Sequence, residues 1–366
     1  MYGAEHMLLN LCRSLARLDC DVSVAVFHNS KNPHLEIGDR LSAEGIEVLG
    51  VPCTGRIDST VIRKIRRLIR TRHIDLVHSH GYKSNIYTFL ATRFTSISAV
   101  ATAHNWTGES ELPPLYNKLD RLVLRRFSAI AAVSDGVSHV LHCSGVARHK
   151  IVRISNGIDL SPYEPAIPSR SIELLGLNGP VVGLVGRIVR EKGCYEFIHA
   201  AARVLPVFPE ARFLLIGEGS ERTNLEQLVR DLQIEKSVVF TGHRNDMPKV
   251  YAALTICVLP SFEEGMPMSL MEAMAAGKSV IATPVGEIPM MVDPGTNGLL
   301  VNSGNVPELS SAIVRLLGDP TLRQRMGENG REKAQKFFSA DSMARAYLNL
   351  YRQTLEGETV GSRDGA

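Results

Sequence analysis

Residues 261–277 read Ser-Phe-Glu-Glu-Gly-Met-Pro-Met-Ser-Leu-Met-Glu-Ala-Met-Ala-Ala-Gly, and they are the most informative stretch of the chain. Gly265 and Pro267 break regular structure after an apolar run, and a proline suits the first turn of a helix. Glu264 is therefore expected on a loop and Glu272 inside the helix that follows. The N-terminus of that helix offers unpaired N–H groups and partial positive charge, which suit a phosphate, and carboxylates beside it accept hydrogen bonds from sugar hydroxyls. An isolated pair of glutamates at this spacing is more often a helix cap and a solvated helix residue. Two cations sharpen the pattern. The run Pro180–Gly186 leads straight into Arg187 and then Glu191-Lys192-Gly193. A guanidinium can fork onto phosphate oxygens and an ammonium adds a point charge, together neutralising charge as a metal does elsewhere. Alone, such a pair is more often a surface turn. Gly217 and Gly219 form a G-x-G after another apolar run, but Arg222 stands where a dinucleotide fingerprint needs its third glycine.

The elements that must position these residues follow from periodicity. Short apolar runs alternate with helical-period segments, the signature of parallel βα units. Strands are expected at 21–27, 45–51, 74–80, 98–104, 128–134 and 150–155, then at 180–186, 211–217, 237–242, 255–260, 279–283 and 298–301. The fold class is α/β, with two doubly wound Rossmann-like domains whose sheets' carboxyl ends, where such folds bind ligands, face one cleft. The first domain spans 1–157. A linker rich in proline and turn formers occupies 158–178, the second domain 179–338, a last helix 339–356 and a disordered tail 357–366. The chain opens on a helix, because Leu8, Leu11, Leu15 and Leu18 recur at helical spacing. A doubly wound domain normally starts with a central strand, so the first strand of this domain is expected to be missing, with Met1 an internal residue. An upstream extension of about 15 residues is then expected to raise stability.

Composition bounds the alternatives. The chain has 366 residues, 44% apolar and 22% charged, which describes an ordinary globular protein rather than a disordered or fibrous one. No apolar run is long enough to span a bilayer and Glu5 and His6 interrupt any N-terminal signal, so a cytoplasmic location is expected. Six scattered cysteines without C-x-x-C argue against disulfides and zinc. Residues 1–157 carry 20 Lys+Arg against 13 Asp+Glu, a charge of +7, and the remainder carries −4. A basic first half fits a domain that meets anionic surfaces. One Trp and 6% aromatics provide no stacking platform for nucleic acid.

Taken together, G-R-x4-K-G, I-G-x-G and E-G-x-P-x4-E-A-M-A-x-G resemble the family-4 retaining glycosyltransferases of GT-B fold, in the family's order and spacing. Gly3-Ala4-Glu5 is similar to the end of the family's glycine-rich loop. His80-Gly81, His104 and Ser155–Asp159 also match family positions, and the helix near 342–355 looks like the one that crosses back onto the first domain.

The resemblance implies roles residue by residue. Arg187 and Lys192 would hold the donor diphosphate as a leaving group, Glu272 the ribose diol, and Glu264 the donor-sugar hydroxyls. Gly265, Met266 and Pro267 would present backbone N–H groups, while Gly186, Gly217, Gly219 and Arg244 would surround the donor. His104 would sit over the sugar and Gly3 would approach the diphosphate, with His80 and Gly81 on the acceptor side. A lone His104 would more often be a packed strand-end histidine. Ser279, Glu287 and Met290 depart from the family pattern and bear on the sugar pocket.

The expected activity is transfer of a hexosyl-like sugar from a nucleoside-diphosphate donor to an acceptor hydroxyl. Retention is implied, with no metal or other cofactor and no covalent adduct on Glu264. The acceptor would be a growing glycan or lipid-linked intermediate at the inner face of a membrane. A nucleotide-sugar 2-epimerase-like enzyme and an inactive nucleotide-sugar-binding fragment are the alternatives; a nicotinamide oxidoreductase fits least. Finally, residues 61–73 combine an apolar stripe at 61, 62, 65, 68 and 69 with six cations. A helix packed on its sheet with a solvated Arg face explains this pattern, and peripheral attachment to anionic lipid is the sharper reading.

Overall fold

The computed structural model describes residues 3–28, 35–54, 58–104, 114–163 and 179–357. The chain divides into two compact units, Met1–Gly157 with Ala340–Ala366, and Ile158–Ser339. Of the expected linker, Ile158–Tyr163 belongs to the second unit, where the Ile158 N–H donates to the Phe338 carbonyl at 2.9 Å. Residues 164–178, and 358–366 of the expected tail, lie outside the described residues.

In the first unit the strands are β1 (Ser23–His28), β2 (Glu47–Pro52), β3 (Leu76–His80), β4 (Ser98–Ala103), β5 (Ala129–Ala132) and β6 (Ile151–Arg153). All pair in parallel, but as two sheets, β1-β2 and β3-β4-β5-β6. The break falls between β1 and β3, the place where a doubly wound order puts its first strand. Period-two alternation sorts side chains to the two faces. Val100 of β4 joins Met7, Leu11 and Leu15 of α1 (Gly3–Ala16) and Met343, Tyr347 and Leu350 of α14 (Ala340–Glu356). Ala99 and Ala101 face the other way, toward Val123 and Leu124 of α5 (Pro114–Leu124) and Leu141 of α6 (Asp135–Cys143). The basic helix is α3 (Ser59–Thr71); it buries Val61, Ile65 and Ile69 against Val51, Cys53 and Tyr87. Ile62 and Leu68 flank this stripe half-buried, as an amphipathic helix on a sheet requires. α4 (Tyr82–Thr92) follows β3.

The second unit holds one parallel sheet in the order β12-β11-β10-β7-β8-β9. Its strands are β7 (Val181–Val185), β8 (Arg212–Ile216), β9 (Val238–Gly242), β10 (Ile256–Leu259), β11 (Ser279–Ala282) and β12 (Gly298–Leu300). Every residue of β7, β10 and β11 is buried, as expected of strands covered on both faces. Chain order reverses between β7 and β10, which hydrogen-bond directly at Ile256 and Val182. That reversal makes the carboxyl ends of β7 and β10 the place where an open α/β sheet takes its ligand.

The divided sheet has a measurable consequence. Val24, Val26 and Phe27 of β1 are half-buried and Ala25 is exposed, whereas every residue of β5 is buried. Amide hydrogen exchange should therefore be at least roughly tenfold faster in β1 and β3 than in β4 and β5. Equal protection of all four strands would show that the break is closed in solution.

Candidate functional site

The loop after β7 and the loop after β8 are tied by main-chain hydrogen bonds. The Gly186 N–H donates to the Ile216 carbonyl at 3.0 Å and the Ile188 N–H to Glu218 at 2.9 Å. Gly217, at φ +141°, and Gly219 sit where these loops cross; a Cβ on either would overlap the carbonyl oxygen of Gly186 or Ile188. The G-x-G is thus required by a backbone crossing. Arg222 opens α8 (Arg222–Asp231) and pairs with Glu218 and Glu226. Arg244, beyond β9, is forked onto Asp246 through bonds of 2.8 and 2.6 Å.

A second crossing brings the β7 and β10 loops together. Gly193 takes φ +67°, and a Cβ there would overlap the carbonyl oxygen of Pro260. The Phe262 N–H donates to the Glu191 carbonyl at 2.7 Å. This approach sets the Lys192 Nζ 2.6 Å from Glu264 Oε1, and Ser261 Oγ donates to the same oxygen at 2.7 Å. The Glu264 side chain is 6% exposed and that of Lys192 19%. Arg187, on the same loop after β7, is exposed, its guanidinium without a hydrogen-bond or ion-pair partner among the described residues. The arrangement is one paired cation, one free cation and one carboxylate at the switch point of the sheet.

As the sequence predicts, Glu264 is on a loop and Glu272 within a helix, α10 (Met268–Ala275). Pro267 stands at the N-cap in extended backbone and no side chain caps the helix, so Glu264 has no capping role. Gly265 accepts the Glu287 N–H at 3.0 Å, which holds the loop to the buried Glu287, one of the departures from the family pattern. Met266 is buried against the same core that holds Leu270 and Met271.

Glu272 is half-buried, and its Oε2 accepts the Tyr251 hydroxyl at 2.9 Å. Tyr163 also donates to it. Desolvation pushes its pKa up to about 7, against the smaller opposing effect of the Tyr251 and Tyr163 hydroxyls. The carboxyl is thus poised between protonation states, and two aromatic hydroxyls hold its orientation.

In the first unit, His80 Nδ1 and His104 Nε2 are 3.1 Å apart, at the carboxyl ends of β3 and β4. His78 shares the His80 face of β3; its Nδ1 meets the Tyr351 hydroxyl at 2.7 Å and its Nε2 meets Thr102 Oγ1 at 2.8 Å. Burial lowers all three imidazoles, His78 to about 3 and His104 to about 4, with His80 well below its ordinary value. The cluster is therefore neutral at physiological pH. Gly81, at φ +92°, is the N-cap of α4 and has open space where a Cβ would stand. Gly3 is the first residue of α1.

Sequence reasoning did not single out Ser261, Tyr163, Tyr251 or His78. Only His78 carried a signal, since it lies two residues before His80 in an alternating strand and so shares its face. The two tyrosines reach Glu272 through tertiary packing, for which the linear sequence has no marker.

Residues 179–319 match the family model described as glycosyl transferases group 1, and residues 1–162 match glycosyltransferase family 4. Among curated proteins, an Escherichia coli UDP-Gal:alpha-D-GlcNAc-diphosphoundecaprenol alpha-1,3-galactosyltransferase is 27% identical over 311 residues, covering 80% of this chain and 79% of that protein. A Streptomyces kanamyceticus 2-deoxystreptamine glucosyltransferase is 32% identical over 253 residues, covering 67% of this chain and 65% of that protein. Among solved structures, Anabaena HepE in complex with UDP superposes with a TM-score of 0.85 at 23% identity, with 96% of each chain covered.

The half-buried carboxyl yields a stability prediction. A folded-state constant of about 7 exceeds the ordinary 4.5, so the folded protein binds the proton more tightly and loses stability as pH rises from 4.5 through 7. Glu272→Gln should melt with the parent near about pH 4 and above it near about pH 8. Parallel melting curves at both values would remove the inference.

Proposed function

Because the chain belongs to the group 1 glycosyltransferases of family 4, we propose that it moves a sugar from a nucleoside-diphosphate donor to an acceptor hydroxyl, with retention and without metal. The observation that carries this reading is the set of Arg187, Lys192 and Glu264 at the β7/β10 switch point. The free guanidinium of Arg187 suits a bidentate approach to phosphate oxygens, and Lys192 supplies a second positive charge. Two cations can stabilise a departing diphosphate by electrostatics alone, which is where a large part of the barrier reduction is expected.

Glu264 is assigned to donor-sugar hydroxyls. Its Oε1 already accepts both Lys192 and Ser261, so its electron density is committed to hydrogen bonds and it makes a poor nucleophile. Retention then follows from attack on the face the diphosphate leaves. The bond from the anomeric carbon to the phosphate oxygen breaks as the acceptor oxygen bonds to that carbon, and the departing phosphate takes the acceptor's proton. The chain's residues supply position and charge. Glu272, oriented by Tyr251 and Tyr163, is assigned to the ribose diol. Gly265, Met266 and Pro267 are assigned to the donor through their backbone, with Gly186, Gly217, Gly219 and Arg244 around it. Neutral His104 is assigned to a sugar hydroxyl, Gly3 to the diphosphate, and His80 and Gly81 to the acceptor side.

The acceptor we propose is a glycan or lipid-linked intermediate in cell-surface synthesis, met at the cytoplasmic face of a membrane. The name of the E. coli relative, whose acceptor is a diphosphoundecaprenol, supports that setting. No helix among the described residues is long and apolar enough to cross a membrane, so any attachment through them would be peripheral.

Calorimetric titration in EDTA with UDP, GDP, ADP and dTDP tests the donor site. One nucleotide should bind, and Arg187→Ala/Lys192→Ala should weaken it by at least about 100-fold, since each charge-assisted hydrogen bond contributes about 1.5–3 kcal/mol. Affinity should rise through about pH 7 as Glu272 ionises, because hydroxyl donors favour the carboxylate. Binding without slow donor hydrolysis would indicate a non-catalytic protein; failure of all four nucleotides in a folded sample would refute the assignment.

A further inference from the structure

The other end of the first unit's sheet carries an unexplained arrangement. In a parallel βα array, each segment between a helix and the next strand lies at the amino end of the sheet. The segments before β3, β4, β5 and β6 are residues 72–75, 93–97, 125–128 and 144–150. They hold six Lys or Arg, namely Arg72, Arg93, Arg125, Arg126, Arg148 and Lys150, against one acid, Asp75. Three of the six are engaged: Arg72 pairs with Glu47, Arg125 donates to the Ser144 carbonyl and Lys150 to those of Arg125 and Phe127, which leaves Arg93, Arg126 and Arg148 to join the α3 cations. Strands about 4.8 Å apart put these four segments across about 15 Å.

The α3 surface continues the same field. Arg63, Lys64, Arg67 and Arg70 are exposed, have no side-chain partner among the described residues, and lie on a helix without a single acid. Arg66 differs from its neighbours: its guanidinium donates to the carbonyls of Leu90 and Ala91 at 2.8 and 3.1 Å, so it closes the end of α4 and does not belong to the solvated face. Between α3 and the β4 segment lies an open cavity of about 710 Å³, lined by Arg70, His73, Arg93 and Phe94 among others.

Phe94 gives the surface its chemical character. The residue is 88% exposed, more than any other exposed large apolar residue among those described, and its backbone takes φ +69°. Few aromatic residues adopt that left-handed conformation. The Arg93 guanidinium lies 4.8 Å from the Phe94 ring centroid and 5.7 Å from that of Phe89. A protruding ring amid closely spaced guanidinium groups fits an interface that is anionic at its surface and apolar beneath. A nucleic acid would want several stacking rings, and an acidic protein would leave Phe94 without an apolar counterpart.

We propose that the amino end of the β3–β6 sheet, together with the exposed face of α3, is a docking surface for an anionic lipid bilayer, with Phe94 entering the apolar layer. The surface lies at the opposite end of the sheet from His80 and His104, so docking leaves their loops uncovered. This inference deepens the membrane-face part of the proposed function, and its test needs no donor nucleotide, so the two can fail separately.

Co-sedimentation measures it. The full chain should bind vesicles of phosphatidylcholine mixed with phosphatidylglycerol, should ignore vesicles of phosphatidylcholine alone, and should be released by high salt. Neutralising a single cation, as in Arg67→Gln or Arg70→Gln, should weaken partitioning by about fivefold, the factor equivalent to about one charge at an anionic surface. Phe94→Ser should weaken it severalfold while leaving the melting temperature unchanged. Binding equally well to neutral vesicles, or undiminished binding of Arg67→Glu/Arg70→Glu, would overturn the proposal. So would complete competition by millimolar inorganic phosphate, which would mark a free-anion pocket, or equally tight binding of a DNA duplex.

Discussion

Close backbone crossing at the carboxyl ends of β7, β8 and β10 is the constraint on which the candidate site rests. The Lys192 ammonium and the Glu264 carboxylate are brought to hydrogen-bond distance by the contact of the loops that carry them, and the Gly193 approach to Pro260 is that contact. A residue with a Cβ at 193 would be strained twice, by its left-handed backbone and by the oxygen it would strike. The same holds at Gly217, where the crossing keeps the Arg187 turn against the loop after β8. Glycines that resemble a phosphate cradle in the sequence thus act first through the main chain. They fix where the cations stand, and the charged groups then define what the site can hold.

Glu272 shows the opposite balance, since its position is unfavourable for the resting protein. Desolvation raises its pKa, and two tyrosine hydroxyls offset only part of that cost. An acidic residue that weakens its own fold near neutral pH is difficult to explain as a structural element. Further hydroxyl donors would restore part of the stabilisation that burial removes, which is why the proposed function assigns it to a diol. Lys192 and Glu264 behave differently: each neutralises the other, so the loop is stable before a ligand arrives.

Much of this was legible in the sequence, and the limits of that reading are specific. The twelve strands among the described residues fall where apolar runs predict them; the signal is strongest for β5, β7, β10 and β11, which are buried throughout, as parallel strands covered on both faces require. The division of the first unit's described strands into β1-β2 and β3-β4-β5-β6 has no marker in the apolar runs. Glu264 on a loop and Glu272 on a helix followed from Gly265 and Pro267, whose backbone preferences are local. Tertiary contacts were not legible. The pairing of Arg244 with Asp246 and the two crossings at Gly193 and Gly217 require the folded chain. Arg66 was read as one of a solvated set, yet it binds α4 carbonyls, since helical periodicity cannot tell which of several arginines meets a neighbouring helix end.

The first unit's sheet therefore has two chemically distinct ends, and its topology accounts for the division. At the carboxyl end, β3 and β4 deliver His78, His80 and His104 into a buried cluster where charge is suppressed, so these rings can exchange hydrogen bonds but cannot repel a cation or bind an anion by charge. At the amino end, the connecting segments bury Phe127 and Val146 in the core but leave the cations of Arg93, Arg126 and Arg148 exposed. A strand thus holds its two ends apart by its own length, about 3.3 Å per residue, which for five-residue β3 is about 16 Å. Burial already holds the three imidazoles neutral. The cationic end can accordingly carry a strong field without charging the histidine cluster, and one small domain can present neutral hydrogen-bonding groups at one end and a positive surface at the other.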